Sequence, residues 1–172
     1  YGEVMDLVRR KRILAEGAFW VECDTNLPNA ESLAKQLVKG QRWFESKTGN
    51  RATFGWLPDT FGFSASLPQL LLQAGVESFG TQKLLRADPE SDTFPFTDFW
   101  WEGEDGTRIL SNMCYRNNCE INPQQLYQRW HVDRKQHGSI EALLYPFGYG
   151  DGGGGPDRDL VESMLRLEDL QG

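Results

Sequence analysis

Short apolar segments alternate with segments of helical periodicity along most of the chain, and this alternation limits the folds open to it. The apolar segments show no polar/apolar alternation, which is typical of strands buried on both faces of a parallel sheet. Parallel neighbours need crossover connections, which are usually helices. The sequence therefore predicts an α/β fold in which helices flank a parallel sheet. The predicted strands cover residues 18–23, 52–57, 76–84 and 142–147.

Helix and turn signals lie between these strands. Asn29 is placed to cap a helix that ends near Gly49, and Gly75 is placed to stop another. The predicted helices cover residues 3–14, 30–48, 67–74 and 122 to about 136, and a last one opens at Pro156. Residues 96–102 and 107–113 flank the sequence Gly-Glu-Asp-Gly, which predicts one hairpin inserted into the α/β pattern.

Asp59 is the most informative single residue, because its neighbours in the sequence are apolar. These neighbours are Trp56, Leu57, Phe61 and Phe63. An ionised carboxylate among water-excluding groups is costly unless a cation or hydrogen-bond donors meet it. Asp59 therefore either belongs to a functional site or accepts hydrogen bonds from local backbone N–H groups.

The flanking sequence predicts where Asp59 lies. It follows the predicted strand 52–57, and the later Ser66-Leu67-Pro68-Gln69 has the S-x-x-Q form of a capping box with proline in the first helical turn. Asp59 is thus predicted in a strand-to-helix loop at the carboxyl end of a strand. Open α/β sheets and (β/α) barrels place their active sites at that end.

Charge and length exclude several classes of protein. The 25 acidic and 18 basic side chains give a net charge of −7, whereas nucleic acids and anionic membranes attract clustered cationic charge. We therefore expect no nucleic-acid and no membrane partner, and no apolar run approaches the length of a membrane span. No linker divides the 172 residues, so a single domain over residues 1–172 is expected.

The cysteines and the first residue bear on the context of the chain. Cys23, Cys114 and Cys119 form no metal-binding C-x-x-C pair, and a domain of this size does not need disulfides. Free thiols in a reducing, cytoplasmic compartment are expected. The chain begins at Tyr1 within an amphipathic pattern, so we expect it to be a piece of a longer protein.

Four separated segments carry a family resemblance. They are FWVECDTN with NAESL (residues 19–26 and 29–33), WLPDTFG with LPQ and TQKL (56–62, 67–69 and 81–84), FWWEGEDGT (99–107) and YPFGYGDGGGGP (145–156). Together, and in this order, they resemble the catalytic domain of the glycoside hydrolase family 38 α-mannosidases. The second and fourth segments are the specific ones.

The resemblance implies a fold, a reaction and a cofactor. The family hydrolyses terminal α-mannosides with retention of configuration, assisted by a bound zinc ion, in an α/β barrel. By this resemblance Asp59 would be both the nucleophile and a zinc ligand, and Asp151 would be the general acid/base. The expected fold is then part of a (β/α) barrel, and the expected partner is an oligosaccharide or mannoside substrate.

The chain also departs from the family pattern. The family's zinc site uses a His-x-Asp dyad that would lie before residue 1 and a histidine that would lie beyond residue 172. The chain is therefore expected to be an internal piece of the catalytic domain that is inactive alone. Sheet edges exposed in such a piece would favour a homo-oligomer. Cys23 stands where the family usually has proline, and Asn29-Ala30 where it usually has Ser-Gly.

Three further residues are candidates for substrate binding, and each has a simpler alternative. Glu22 and Asp24 end the first predicted strand on the side where Asp59 emerges, and they either contact sugar hydroxyls or form a surface pair or cap. Tyr149 in the glycine loop is a candidate sugar contact. Asp151, the candidate acid/base, has an alternative as an ordinary turn residue beside glycines.

Two rival functions stay open on the residues alone. Retaining hydrolysis needs two carboxyl groups about 5–5.5 Å apart in different protonation states, which suits Asp59 and Asp151. A non-catalytic mannose-binding module on the same sheet is the alternative from another class. An unrelated hydrolase with two carboxylates and no metal is the third hypothesis.

Overall fold

The computed structural model describes residues 1–85, 96–114, 120–133, 142–150 and 154–168 of the chain. In chain order its elements are α1 (Gly2–Arg9), α2 (Ala30–Thr48), β1 (Phe54–Trp56), α3 (Leu67–Gln73), β2 (Ser78–Thr81), β3 (Asp98–Glu102), β4 (Arg108–Met113), α4 (Pro123–Gln128) and α5 (Arg158–Glu168). A 3₁₀ turn, Lys83–Leu85, follows β2, and a π turn, Arg129–Asp133, follows α4. Among the helices described, none has the length and apolarity that crossing a membrane would require.

The four strands form one sheet in the order β1-β2-β4-β3. β1 runs parallel to β2 and β2 runs parallel to β4, so that Phe79 pairs with Gly55 on one side and with Ser111 on the other. β3 runs antiparallel to β4. The predicted helix-flanked sheet with one hairpin is therefore confirmed, but β4 lies inside the sheet instead of forming part of an insertion. These four strands do not establish the expected barrel.

The core lies between the sheet and the helices α2 and α3. Its buried members come from both helices, from β2, from β4 and from the segments that join them: Leu33, Leu37, Phe44, Leu57, Leu67, Leu71, Val76, Phe79 and Ile109. The side chains of Phe54 and Trp56 lie on the other face of the sheet from Gly55, and their rings stack with centroids 5.7 Å apart. α2 and α3 thus cover one face of the sheet and hold the strand ends in place.

The local helix signals are confirmed at α2 and α4. The Asn29 side chain accepts a hydrogen bond from the Ser32 N–H at 2.9 Å, and Gly49 ends α2 in the left-handed conformation at φ 80°. Asn122 caps α4 in the same way, through the Gln125 N–H at 2.8 Å. The predicted continuation of α4 beyond residue 133 lies outside the described residues.

The capping box predicted at Ser66 is wrong. Ser66 has helical dihedrals (φ −84°, ψ −5°), whereas an N-cap side chain needs extended backbone to reach back to the helix. Its hydroxyl instead lies 2.9 Å from that of Ser64. The predicted start of α5 at Pro156 is also displaced, because Asp157 accepts the Leu160 N–H and the helix begins at Arg158.

Several predicted elements are shorter than expected. α1 ends at Arg9 instead of near residue 14, since Lys11 adopts a positive φ of 56° that a helix cannot continue. Strands β1 and β2 cover 54–56 and 78–81 instead of 52–57 and 76–84. A strand is as long as the stretch that pairs with its neighbours. The apolar residues extend beyond that stretch, so the sequence pattern predicted strands that were too long.

The strand predicted at 18–23 is wrong. Only Gly17 pairs with β1, through an isolated bridge to Gly55. Ala18 then takes a positive φ of 66°, and the Trp20 N–H donates to the carbonyl of Gln36 in α2. The segment thus leaves the sheet and lies against α2 at Gly40, where an added Cβ would lie 2.1 Å from the Ala18 carbonyl oxygen.

The strand predicted at 142–147 is also wrong. Residues 142–146 have no regular structure. Tyr145 donates its hydroxyl hydrogen bond to the Glu120 carbonyl at 2.6 Å. Tyr145 and Phe147 line a cavity of about 300 Å³ together with residues of α4 and α5. These two side chains are therefore apolar because they pack near helices. A short apolar run in the sequence does not reveal whether it packs in a sheet or against helices.

Gln41 joins α2 to the start of β1 and to the end of α3. It is 3% exposed, donates to the carbonyls of Ala52 (2.8 Å) and Ala74 (3.1 Å), and accepts the Ala52 N–H (2.9 Å). Gln41→Leu would leave two buried backbone groups of Ala52 and the partly buried carbonyl of Ala74 without this partner, so we expect a loss of about 3 kcal/mol in the free energy of unfolding.

Urea unfolding of the two proteins would measure this loss. Gln73→Leu, at an exposed position of α3, is the matched control and should change stability by less than about 0.5 kcal/mol. Equal stability of Gln41→Leu and the unchanged chain would contradict the prediction.

Candidate active site

The parallel strands β1 and β2 bring their carboxyl ends to the same edge of the sheet. Asp59 follows β1 by three residues, and Lys83 follows β2 by two. Their side chains meet there, because the Lys83 ammonium forms an ion pair with Oδ1 of Asp59. The predicted position of Asp59 in a strand-to-helix loop at this edge is therefore confirmed.

Asp59 is not buried as its apolar neighbours suggested. Its side chain is 55% exposed, and the neighbouring Phe61 is 73% exposed. The predicted need for a cation is met nevertheless, by Lys83, which is only 12% exposed and lies 4.7 Å from the centroid of the Phe61 ring. Among the described residues no backbone amide donates to the Asp59 carboxylate. The alternative that Asp59 serves only to accept hydrogen bonds from nearby backbone N–H groups is therefore not supported.

The segment that carries Glu22 fastens the Asp59 loop. Oε1 of Glu22 accepts the backbone N–H of Asp59 at 2.5 Å, and the Thr60 hydroxyl donates to the Cys23 carbonyl at 3.0 Å. The Thr25 hydroxyl donates to the Gly62 carbonyl at 3.0 Å. Glu22 and Asp59 are thus brought together as predicted, with Glu22 holding the loop backbone.

Gly62 is required where the loop turns back. Its φ of 97° lies in the region that favours glycine, and an added Cβ would lie 2.5 Å from Nδ2 of Asn26. A side chain at position 62 is therefore disfavoured by the positive φ and would also clash with Asn26. Glycine at this position therefore lets the loop after Asp59 turn back close to Asn26.

Asp24 serves its own loop. Its Oδ1 accepts the backbone N–H groups of Asn26 (2.7 Å) and Leu27 (2.8 Å), which is an Asx turn. This is the capping alternative for Asp24, and it occupies one of the two carboxylate oxygens. A sugar contact through the other oxygen stays a prediction.

Cys23 contributes its carbonyl and not its sulfur to the site. Burial raises the pKa of its thiol above the usual range, and the neighbouring carboxylates of Asp24 and Glu22 raise it further, against the opposing effect of a backbone hydrogen bond. The thiol is therefore protonated at neutral pH and is a poor nucleophile. Cys23 and Cys114 are buried and neither forms a disulfide, and Cys119 lies outside the described residues.

Tyr149 is anchored to the start of α5. Its hydroxyl donates to Oδ2 of Asp157 at 3.1 Å, and its N–H donates to the Gly155 carbonyl at 3.1 Å. The hydrogen bond to Asp157 is the main cause that raises the pKa of Tyr149, so the hydroxyl stays protonated at neutral pH. The ring is 63% exposed. Sugar binding by Tyr149 stays a prediction, and Asp151 lies outside the described residues.

The described residues do not form a zinc site by themselves. Zinc binds four ligands chosen from Cys, His, Asp and Glu, and no group of three or more such side chains converges within the ranges described. Oδ1 of Asp59 is paired with Lys83, and Oε1 of Glu22 accepts the Asp59 N–H. Asp59 is the one predicted ligand present, with its second oxygen unpaired among these residues.

Lys83 is the residue that sequence analysis missed. It was noted only as part of the TQKL segment. The predicted strand 76–84 includes Lys83, and only the shorter observed strand, Ser78–Thr81, leaves this lysine at the carboxyl edge of the sheet. The neighbouring strand is β1, and Asp59 lies in the loop that follows it.

A helix-flanked parallel sheet with an anchored, accessible carboxylate at its carboxyl edge has the architecture of an α/β enzyme domain. The chain matches the family described as "Glycosyl hydrolases family 38 N-terminal domain" over residues 1–172. It therefore belongs to glycosyl hydrolase family 38.

Individual relatives agree with this membership. The chain is 33% identical over 173 residues to "Alpha-mannosidase 2C1" of Homo sapiens, covering 100% of the chain and 16% of that protein. It is 36% identical over 167 residues to "Alpha-mannosidase" of Saccharomyces cerevisiae, covering 95% of the chain and 15% of that protein. The crystal structure of an alpha-mannosidase from Enterococcus faecalis superposes with a TM-score of 0.72 at 21% identity, covering 97% of this chain and 19% of that one. That likeness shows a shared fold.

Proposed function

We propose that this chain is part of an enzyme that hydrolyses terminal α-D-mannosides with retention of configuration. The observation that carries the proposal is the position of Asp59: it is exposed, anchored through its backbone by Glu22, and paired with a cation at the carboxyl edge of the sheet. Membership of family 38 and the alpha-mannosidase names of the relatives support the substrate class. Because the chain spans about 16% of the human relative, activity is proposed for the longer protein.

In the proposed reaction the free oxygen of the Asp59 carboxylate attacks C1 of the mannose. A bond forms between that oxygen and C1 while the bond from C1 to the leaving oxygen breaks, and the leaving oxygen takes a proton from Asp151. Asp151, now a carboxylate, then takes a proton from water, whose oxygen attacks C1 and releases Asp59. Two displacements at C1 restore the original configuration.

The remaining residues of the proposal bind or support. Glu22 holds the Asp59 loop, and Asp24 and Tyr149 offer polar groups to sugar hydroxyls. Zinc is proposed as the cofactor of the longer protein, with Asp59 as one ligand and the other ligands outside the described residues. Bound zinc would supply a Lewis acid for substrate hydroxyls. Closure of the sheet into a (β/α) barrel, association of copies and a cytoplasmic location belong to the same proposal.

Hydrolysis of an aryl α-mannoside by the natural protein that contains this chain tests the function. The proton NMR spectrum of the reaction at early times should show α-mannose as the first product. β-Mannose as first product would contradict retention. Saturable mannose binding without hydrolysis would favour the non-catalytic binding module, and full activity after exhaustive chelation would favour a hydrolase without metal.

The 172-residue chain expressed alone is expected to be inactive and to bind no stoichiometric zinc. The physical reason is that the described residues offer Asp59 and not the four ligands of a tetrahedral site. Elemental analysis of the purified chain, with the natural protein measured in parallel, checks the metal content, and an aryl α-mannoside assay checks activity. One tightly bound zinc ion per chain would contradict this expectation.

A further inference from the structure

We propose that Lys83 is a positioning residue for the nucleophile: its ammonium holds Oδ1 of Asp59 so that the other oxygen faces C1 of the sugar. The inference rests on the proposed function and adds a residue to it. The ion pair between Lys83 and Asp59 joins the ends of two adjacent parallel strands, so two elements of the sheet fix the geometry of one carboxylate.

The exposures of the two partners show which of them is fixed. The side chain of Lys83 is 12% exposed, whereas that of Asp59 is 55% exposed. A nearly buried ammonium has lost most of its water and keeps a defined position, here against the Phe61 ring at 4.7 Å. An exposed carboxylate would otherwise move freely between rotamers. Lys83 therefore acts as the fixed point and Asp59 as the group that is oriented.

Asp59 is held at its backbone and at one carboxylate oxygen, and the other oxygen is unpaired among the described residues. Glu22 accepts the backbone N–H of Asp59 at 2.5 Å, and Lys83 pairs with Oδ1. With the backbone and one oxygen held, the χ1 and χ2 angles of Asp59 have little freedom. The side chain is 55% exposed and its second oxygen has no partner among the described residues, so a substrate can approach it. A nucleophile held near its attack geometry reacts faster.

A purely structural explanation for the ion pair predicts a different outcome. If Asp59 served only to neutralise the nearly buried Lys83, loss of the lysine would change stability and leave the chemical step intact. If Lys83 positions Asp59, its loss lowers kcat while substrate binding by other groups persists. The division of the effect between kcat and KM therefore separates the two explanations.

The test compares Lys83→Met and Lys83→Arg in the natural protein, with Lys35→Met as the matched control. Lys35 lies on α2 in an exposed ion pair with Glu31, and its replacement should leave kcat and KM unchanged. For Lys83→Met we expect kcat to fall about 100-fold with KM changed less than about threefold. Lys83→Arg keeps the charge, so its kcat should be at least about tenfold higher than that of Lys83→Met.

Each outcome supports or overturns the inference. A kcat of Lys83→Met within about twofold of the unchanged protein overturns it, as does a rise in KM that accounts for the whole effect. If Lys83→Met does not fold, Lys83→Arg and Lys83→Gln decide: equal kcat for the charged and the neutral variant overturns the inference. Failure of the proposed function is distinct, because it would appear as an inactive natural protein or as full activity of Asp59→Asn.

Discussion

Asp59→Asn in the natural protein is expected to abolish turnover of an aryl α-mannoside, with kcat reduced about 10⁴-fold or more. The amide keeps the size and shape of the carboxylate but cannot form the covalent bond to C1. It also loses the charge that pairs with Lys83. Because the side chain is 55% exposed, we expect the fold to survive the substitution, with reduced stability because Lys83 loses its charged partner.

A matched control separates the chemical effect from a general effect of charge. Asp6 lies on α1 in an exposed i,i+4 ion pair with Arg10, so Asp6→Asn should leave kcat unchanged. Circular dichroism and the melting temperature of both variants establish folding. Activity of Asp59→Asn at the level of Asp6→Asn would show that Asp59 is not the nucleophile.

Gly40→Ala is expected to destabilise the chain by about 3 kcal/mol, although alanine is normally the better helix former by about 1 kcal/mol. An added Cβ at Gly40 would lie 2.1 Å from the Ala18 oxygen and 2.5 Å from the Phe19 carbonyl carbon, and both are backbone atoms. Backbone cannot move aside as a flexible side chain can. The segment that carries Glu22 would be displaced, and the Asp59 loop with it, so activity should fall as well.

Gly2→Ala is the matched control for this prediction. Gly2 also lies in a helix, and no atom lies within 4 Å of an added Cβ there. The two substitutions should therefore have opposite or clearly different effects on the midpoint of urea unfolding. A Gly40→Ala chain as stable as Gly2→Ala would show that residues 18–20 do not pack on α2 as described.

Local sequence determined those features whose cause lies within a few residues. Asn29 and Gly49 delimit α2 because a cap and a left-handed glycine act on the adjacent turn. The place of Asp59 between a strand and a helix followed from the apolar segment before it and from Pro68 in the first turn of the helix after it. By contrast, the apolar run at 18–23 does not indicate whether it pairs with a strand or packs against a helix. In the structure it packs against α2 at Gly40.

Asp59 shows the same division within a single site. By itself the sequence determined that a carboxylate stands in a loop at the carboxyl end of a strand, because neighbouring residues build that loop. Only the tertiary structure decided that this carboxylate is exposed, that Glu22 holds its backbone and that Lys83 holds its oxygen. These partners lie 37 and 24 positions away in the sequence and become neighbours only when β2 pairs with β1 and residues 22–25 fold against the loop.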